Sequence, residues 1–397
     1  MSKNRILIGS PALMRETNAR TILTLLKKLG PCSRADLVRK TGMSAPTVAN
    51  VVSDLSGLGL IEWIGEGPSG GGRRPENLRF KADSGFLAGV EVTTDALRIL
   101  LTDLNGTLLD EQYDPLPINS RSPDAVVEAL NASLKAIMQK HNLPRKKLLA
   151  FTVGVAGITN TNDGIVISVS GSNTWRDVPL LDMLKKHFAC AIFVENDTNL
   201  AAIGEHFCGV AQSEDSFIFV AVGSGVGAGI FLNGQIVHGA SWSAGEIGYL
   251  HVPNISNMEP SLYEYGGLEQ VLGGGGILRS WNAVSSKSGV TMKIRKASNV
   301  LDLASQGNVV AQKLVHQRAR LLKDVVLNLS LTLNPSLFVF GGELGSHAAL
   351  LEPTMEMLRR SEVAVARVLP SSLGNSAVVW GAIAVAMQDS ERKLYRQ

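Results

Sequence analysis

The chain has 397 residues, of which 45% are hydrophobic, 18% are charged and 40 are glycine. That length allows two or three domains with substantial cores, and the composition excludes a disordered polymer. No apolar run reaches the ~20 residues that span a bilayer. The N-terminus lacks the apolar core and small-residue cleavage site of a signal peptide. Cys32, Cys190 and Cys208 have neither the spacing of a disulfide framework nor that of a thiolate zinc cage. A cytoplasmic location with no membrane partner is the expectation.

The net charge of +3 is unevenly spread: residues 1–81 carry 13 Lys and Arg against 6 Asp and Glu, and the remainder carries 25 against 29. A basic N-terminal module on a mildly acidic body fits a nucleic-acid reader attached to something else. A solvated basic face fits the charge equally well.

In chain order, Ile22, Leu25, Leu26 and Leu29 recur at three- and four-residue spacing, which predicts an amphipathic helix over 17–29 ended by Gly30. Ser33 is the expected N-cap of a second helix that carries Ala35, Leu37 and Val38 and ends near Gly42. Ser44 is the expected cap of a third helix reaching about Leu58, with Pro46 in its first turn, where a missing N–H costs nothing. Helix, tight turn and helix predict a helix-turn-helix. On the third helix Ala49, Val52 and Leu55 are expected to face inward. Ser44, Ala45, Thr47 and Asn50 face outward at its N-terminal end, the end that enters the major groove. Small side chains there permit close approach, and the Asn50 amide suits an adenine edge. Residues 60–64 and 77–80 predict two strands of a wing around the glycine-rich 65–72 loop, with Arg73 and Arg74 beside it for phosphate contact. The predicted unit spans 1–82 and its partner is double-stranded operator DNA. A three-helix packing module without DNA is the plainer alternative.

From Phe86 onward the pattern becomes strand-rich. Strands, a hairpin at Asn105-Gly106 and an amphipathic helix over 123–141 are followed by strand-like runs at 148–155 and 192–194. A second alternating unit runs from 216–222 to a helix over 376–387. The repetition predicts two related lobes with a cleft between them. Residues Glu195–Ala202 read ENDTNLAA, and GSGVGAG follows at Gly223–Gly229. Asn196 and Asp197 can hydrogen-bond adjacent sugar hydroxyls, and Asp197 can accept a hydroxyl proton. The glycines let backbone N–H groups approach phosphate oxygens.

This order of motifs, with GVAGITN, GASWSAGEIGYLHV and Gly266-Gly267-Leu268-Glu269, resembles the ROK family of repressors, open reading frames and sugar kinases. The resemblance covers essentially the whole chain, including the N-terminal helices. It implies an α/β fold: a winged helix-turn-helix, then a two-lobed actin-like (ribonuclease H-like) sugar-kinase body over 83–397. It also implies sugar contacts from Asn173, Asn196, Asp197, Glu246, Tyr249 and Glu269, with Asp197 at the kinase general-base position.

Two departures from the family pattern shape the functional expectation. The family's D-L-G-G-T phosphate loop reads Glu91-Val92-Thr93-Thr94-Asp95 here, which puts β-branched side chains where backbone must touch phosphate and a carboxylate near a triphosphate. The zinc ligands of the family, the histidine of G-E-I-G-H and three cysteines of C-x-C-G-x-x-G-C, are replaced by Tyr249, Pro260, Leu262 and Gly267, which do not make a tetrahedral site. No cofactor, no metal and no working catalytic residue are therefore expected. Gly223–Gly229 and Gly341-Gly342 become retained architecture, and Leu262, Tyr263 and Tyr265 are expected to hold the former zinc loop by packing. The resulting expectation is a sugar-responsive transcriptional regulator, a repressor of carbohydrate uptake or catabolism genes. It would be a homodimer or tetramer that answers to a sugar or sugar phosphate. An ATP-dependent sugar kinase with an N-terminal DNA-binding extension is the rival reading, and a regulator with a dead effector site is the third.

Overall fold

The computed structural model describes residues 11–66, 76–93, 95–116, 121–251, 261–287, 294–363 and 366–394. Arg73, Arg74, Thr94 and Pro260 lie outside the described residues.

The N-terminal part comprises α1 (Pro11–Leu29), β1 (Cys32–Ser33), α2 (Arg34–Thr41), α3 (Ala45–Gly57), β2 (Ile61–Glu66) and β3 (Glu76–Phe80). Helix α1 begins earlier than its apolar pattern indicates. It buries Ile22, Leu23 and Leu26 but leaves Leu29 exposed, and Gly30 ends it at φ +72°. Ser33 and Asp36 form a reciprocal capping box at the start of α2. This satisfies two N–H groups that would otherwise lack partners. Gly42, in the left-handed region, ends α2 by donating its N–H to the Val38 carbonyl. Ser44 Oγ then accepts from Thr47 N and caps α3. On α3 the buried stripe is Val48, Val51, Val52 and Leu55. Ala49, expected to face inward, is only half-buried, because the i, i+3, i+4, i+7 stripe is centred on the Val48 side. The strands close a small antiparallel sheet in the order β1-β3-β2. Arg34 covers the Trp63 ring on β2, with its guanidinium 4.7 Å from the ring centre.

The first lobe of the body contains β4 (Phe86–Val92), β5 (Ala96–Asp103), β6 (Leu108–Pro115), α4 (Pro123–Lys140), β7 (Leu148–Val155), β8 (Ile158–Asn160), β9 (Ile165–Ser168), β10 (Arg176–Val178), α5 (Leu180–Lys185), β11 (Ala191–Asn196) and α6 (Asp197–Cys208). The second contains β12 (Phe217–Val222), β13 (Val226–Leu232), β14 (Gln235–Ile236), α7 (Glu269–Leu272), α8 (Gly274–Lys287), α9 (Ala297–Ser305), α10 (Val309–Leu333), β15 (Leu337–Gly341), α11 (Gly342–Gly345), α12 (Ala348–Arg359), β16 (Arg367–Pro370) and α13 (Ala377–Leu394). The two main sheets have the orders β11-β7-β4-β5-β6 and β14-β13-β12-β15-β16. Each is an antiparallel three-strand meander to which two later strands add in parallel beside the first. The same connectivity twice over is the duplication expected from the sequence.

In the first lobe one sheet face, with Val90, Phe151 and Val153, packs on Val127, Leu130, Leu134 and Ile137 of α4. In the second, Val220, Phe338 and Phe340 pack with Leu322 and Val326 of α10 and with the fully buried Trp281. Helices α6 and α13 cross between the lobes at Gly204 and Gly381. A Cβ on Gly204 would clash with the Ala377 carbonyl, and one on Gly381 with the Leu200 carbonyl. The missing side chains allow the two backbones to touch. The N-terminal helices share an apolar cluster with the body, in which Ile22, Leu26 and Leu78 join Leu87, Leu104 and Ile383. Lys27 Nζ adds a hydrogen bond to the Leu104 carbonyl at 3.2 Å. Among the described residues no helix is long and apolar enough to cross a membrane.

Candidate functional site

The cleft is built around the step from β11 to α6. Asn196 is the N-cap of α6: its Oδ1 accepts from Asn199 N at 3.0 Å and its Nδ2 donates to the Gly157 carbonyl at 3.1 Å. It thereby ties the GVAGITN turn to the helix start. Asp197 occupies the first turn, where the helix dipole favours a carboxylate. Its Oδ1 accepts from Thr198 N at 2.7 Å and Thr198 Oγ1 at 3.2 Å. Burial raises its pKa and the Thr198 hydrogen bonds oppose that rise.

Glu246 and Glu269 come to Asp197 from the second lobe. Burial, then the negative charges of Asp197 and Glu269, push the Glu246 carboxyl up to about 7. Among the described residues its carboxylate has no hydrogen-bond donor. Glu269 is buried at the start of α7. Its two oxygens accept from Val226 N and Gly266 N, each at 3.3 Å. Burial raises its pKa against the pull of those two amides. Carboxylates confined in this way accept hydroxyl hydrogen bonds strongly, because each bond to a charged group is worth ~1.5–3 kcal/mol.

Tyr249 and Asn173, the other residues for which the sequence suggests sugar contact, lie in connecting segments. Tyr249 donates its hydroxyl to the Glu264 carbonyl at 2.9 Å and lies 3.0 Å from Ser170 Oγ, clipping two loops together at the position that the sequence resemblance aligns with a zinc ligand. Burial raises its pKa. Gly266 packs directly on the Gly248 carbonyl, and the exposed Leu262 and Tyr265 contribute less to holding this loop than the sequence leads one to expect. Asn173 is exposed, and its Oδ1 accepts from Arg176 Nη2 at 3.2 Å. Arg176 in turn lies 3.9 Å over the Tyr263 ring.

The former phosphate segments are occupied internally. Thr93 Oγ1 accepts from Ala96 N at 3.0 Å and Asp95 N at 3.4 Å, and it donates toward Asp95 Oδ1 and the Ala96 carbonyl. The Thr93, Asp95 and Ala96 amides are thus already used by the turn itself. Gly225 makes room for the Glu269 carboxylate, while Gly227 and Gly229 admit Thr198 and Ala202 of α6. Gly342, at φ +78°, lies against the Val222 backbone. These glycines serve packing between elements.

On α3, Ser44, Ala45 and Asn50 are exposed, and Thr47 is half-buried with its Oγ1 2.8 Å from Ser44 Oγ. The sequence reading missed three residues around the cleft. Glu91 carries an ion pair with Arg98 at 3.6 Å, and its carboxyl is pushed up to about 7 by burial and then by Asp197. An acid inside the apolar run FLAGVEV is the signal that marks it. Glu195 and His238 pair at 2.7 Å across the lobes; nothing around His238 in the sequence foretells this.

The geometry defines a two-lobed, duplicated α/β body with an acidic interlobe cleft, preceded by three helices and a small sheet. A crystal structure of a ROK family transcriptional regulator, a homologue of the Escherichia coli MLC protein, has the same fold with a TM-score of 0.79 and 21% identity over 96% of this chain and 98% of its own. A ROK family glucokinase from Streptomyces griseus, in complex with glucose and AMPPNP, matches with a TM-score of 0.66 and 24% identity over 77% of this chain and all of its own. The ROK family model matches residues 87–389, and the chain belongs to the ROK family. It is 26% identical to the xylose repressor of Bacillus spizizenii over 96% of this chain and 97% of that protein. It is 25% identical to the DNA-binding transcriptional dual regulator NagC of Escherichia coli, over 88% of this chain and 86% of that protein.

Proposed function

We propose that this protein is a sugar-responsive transcriptional repressor of carbohydrate uptake or catabolism genes, acting in the cytoplasm. The observation that carries this reading is the survival of the Asp197, Glu246 and Glu269 carboxylates beside a Thr93 turn that consumes its own amides. A site so built suits hydroxyls, and the described amides of the turn are not available to a triphosphate. Full-length similarity to repressors supports the regulatory half of the reading.

Residues 1–82 act as a winged-helix reading head, with α3 in the major groove and Ser44, Ala45, Thr47 and Asn50 toward the bases. Arg73 and Arg74 contact phosphate. Two copies related by a twofold axis place two heads on a palindromic operator. A sugar held between the lobes favours one lobe arrangement and so changes the spacing of the heads.

The test is to measure binding of the purified full chain to DNA upstream of its own gene, with and without D-xylose, D-glucose or N-acetyl-D-glucosamine, beside a coupled assay of ATP consumption. Specific DNA binding altered by one of the sugars, with no sugar-dependent ATP consumption, is the expected result. Sugar-dependent ATP consumption without specific DNA binding would replace this reading by the sugar kinase.

A further inference from the structure

Glu91 is set into the cleft by the register of the first sheet. Glu195 on β11 and Glu91 on β4 both pair with Gly154 on β7, and Glu91 pairs with Arg98 on β5. Laterally paired residues project from the same face of a sheet. A Cβ on Gly154 would press on Leu200 of α6 and Val378 of α13, and one on Gly89 of β4 on Val379 and Ala382 of α13, so this is the face that α13 covers, close to where α6 crosses it. Asp197 is the first residue of α6, and its charge reaches Glu91.

The Glu91 carboxylate is largely buried but under-used. Its ion pair with Arg98 Nε spans 3.6 Å, beyond hydrogen-bonding distance. Arg98 is divided between two acids, because its Nη1 lies 3.8 Å from Glu111 Oε1. Among the described residues the Glu91 carboxylate therefore has no hydrogen-bond donor, while Arg98 holds the side chain in place. An anion arriving there meets the charges of Glu91 and Asp197, with the Arg98 guanidinium already shared between two acids.

We propose that Glu91 is an effector-contacting residue that accepts a hydrogen bond from a sugar hydroxyl next to the one taken by Asp197, and that it selects uncharged sugars over sugar phosphates. This rests on the reading of the cleft as a sugar-sensing site. It assigns Glu91 a role outside any phosphate loop: ionised above its raised pKa of about 7, the glutamate places a negative charge beside Asp197, where a phosphoryl group would meet it.

The test is calorimetric titration of the full chain with D-xylose, D-glucose and N-acetyl-D-glucosamine, and with the 6-phosphates of the last two. The unmodified protein binds at least one free sugar, and binds sugar phosphates about 10-fold or more weakly by comparison. Glu91→Gln lowers affinity for the free sugar by about 10–100-fold, the loss expected for one bond to a charged acceptor, and narrows the discrimination against phosphate. Glu91→Asp, with the charge kept and the oxygens withdrawn, loses affinity but retains the discrimination. The two variants thus separate contact from charge, and the second carries the test if the first does not fold. Affinities of both variants within about twofold of the unmodified protein, or sugar phosphates binding it as tightly as the free sugars, would overturn the proposal. Failure of every free sugar to bind the unmodified protein would instead overturn the sugar-sensing reading, and this proposal with it.

Discussion

His238 Nε2 lies 2.7 Å from Glu195 Oε2 and joins the segment after β14 in the second lobe to the end of β11 in the first. The other Glu195 oxygen accepts from Asn196 N at 2.8 Å and Asn199 Nδ2 at 3.0 Å. One buried carboxylate therefore holds a strand end, the first turn of α6 and the opposite lobe. Hydrogen bonding to Glu195 raises the His238 pKa above its ordinary 6.5, against the effect of burial.

A raised folded-state pKa means that the folded protein binds the proton more tightly than the unfolded chain. The stability it supplies is complete below 6.5 and is lost as pH rises through the folded value. Glu91 and Glu246, raised from 4.5 to about 7, add a loss of the same sign between those values. His238→Asn should therefore lower the thermal midpoint clearly at pH 6 and much less at pH 9. An equal deficit at both pH values would show that the pair contributes nothing as an ion pair.

Gly204 and Gly381 bring α6 and α13 into backbone contact. Gly204→Ala should destabilise the protein by ~1–3 kcal/mol through overpacking, although alanine is the better helix former. Chemical denaturation reads this directly. A stabilised variant would mean that the two helices separate at no cost.

Asp197→Asn keeps the shape of the side chain and removes its charge. Sugar affinity should fall by ~1.5–3 kcal/mol while DNA affinity without sugar stays nearly unchanged. Titration of DNA binding against sugar concentration distinguishes this from a general loss of folding. Were the unmodified protein a kinase, the same change would remove ~10²–10⁴-fold of turnover.

On α3, Ser44 and Thr47 hydrogen-bond each other at the cap, and Asn50 is exposed one turn further on. Asn50→Ala should weaken operator binding by ~1–3 kcal/mol and spare binding to random DNA. Ser44→Ala should instead cost ~1 kcal/mol of stability, since it removes a helix cap. Parallel binding curves on operator and random duplexes, with melting curves, separate the two effects. Equal losses on both duplexes for Asn50→Ala would assign base reading elsewhere.

Tyr249 clips the Glu264 and Ser170 segments at the position the sequence resemblance aligns with a metal ligand. Purified untagged protein should contain well under one equivalent of zinc, and chelators should leave its melting temperature unchanged. Tyr249→Phe should loosen this wall and reduce sugar affinity by ~1 kcal/mol, the ordinary worth of one hydrogen bond. Tightly held stoichiometric zinc would give the loop a different anchor.

Much of this protein is local and hence legible from its residues in order. The capping serines Ser33 and Ser44, the stop at Gly42, the strand at 148–155 and the Asn196-Asp197 helix start all depend on neighbours within a few positions, because capping and periodicity act over one or two turns. The acids Asp197, Glu246 and Glu269 were recognisable from their motifs. What they do to one another was not: the Glu246 carboxyl is pushed up to about 7 because folding removes water from it and brings Asp197 and Glu269 to it from distant segments. The same holds for Glu91, which looks like the first letter of a failed phosphate loop until the Gly154 register turns it toward the face that α13 covers, close to α6. The Glu195–His238 latch and the Gly204–Gly381 crossing are likewise tertiary facts. Each joins residues from different elements, and only the packing of two lobes on two shared helices decides which side chains meet.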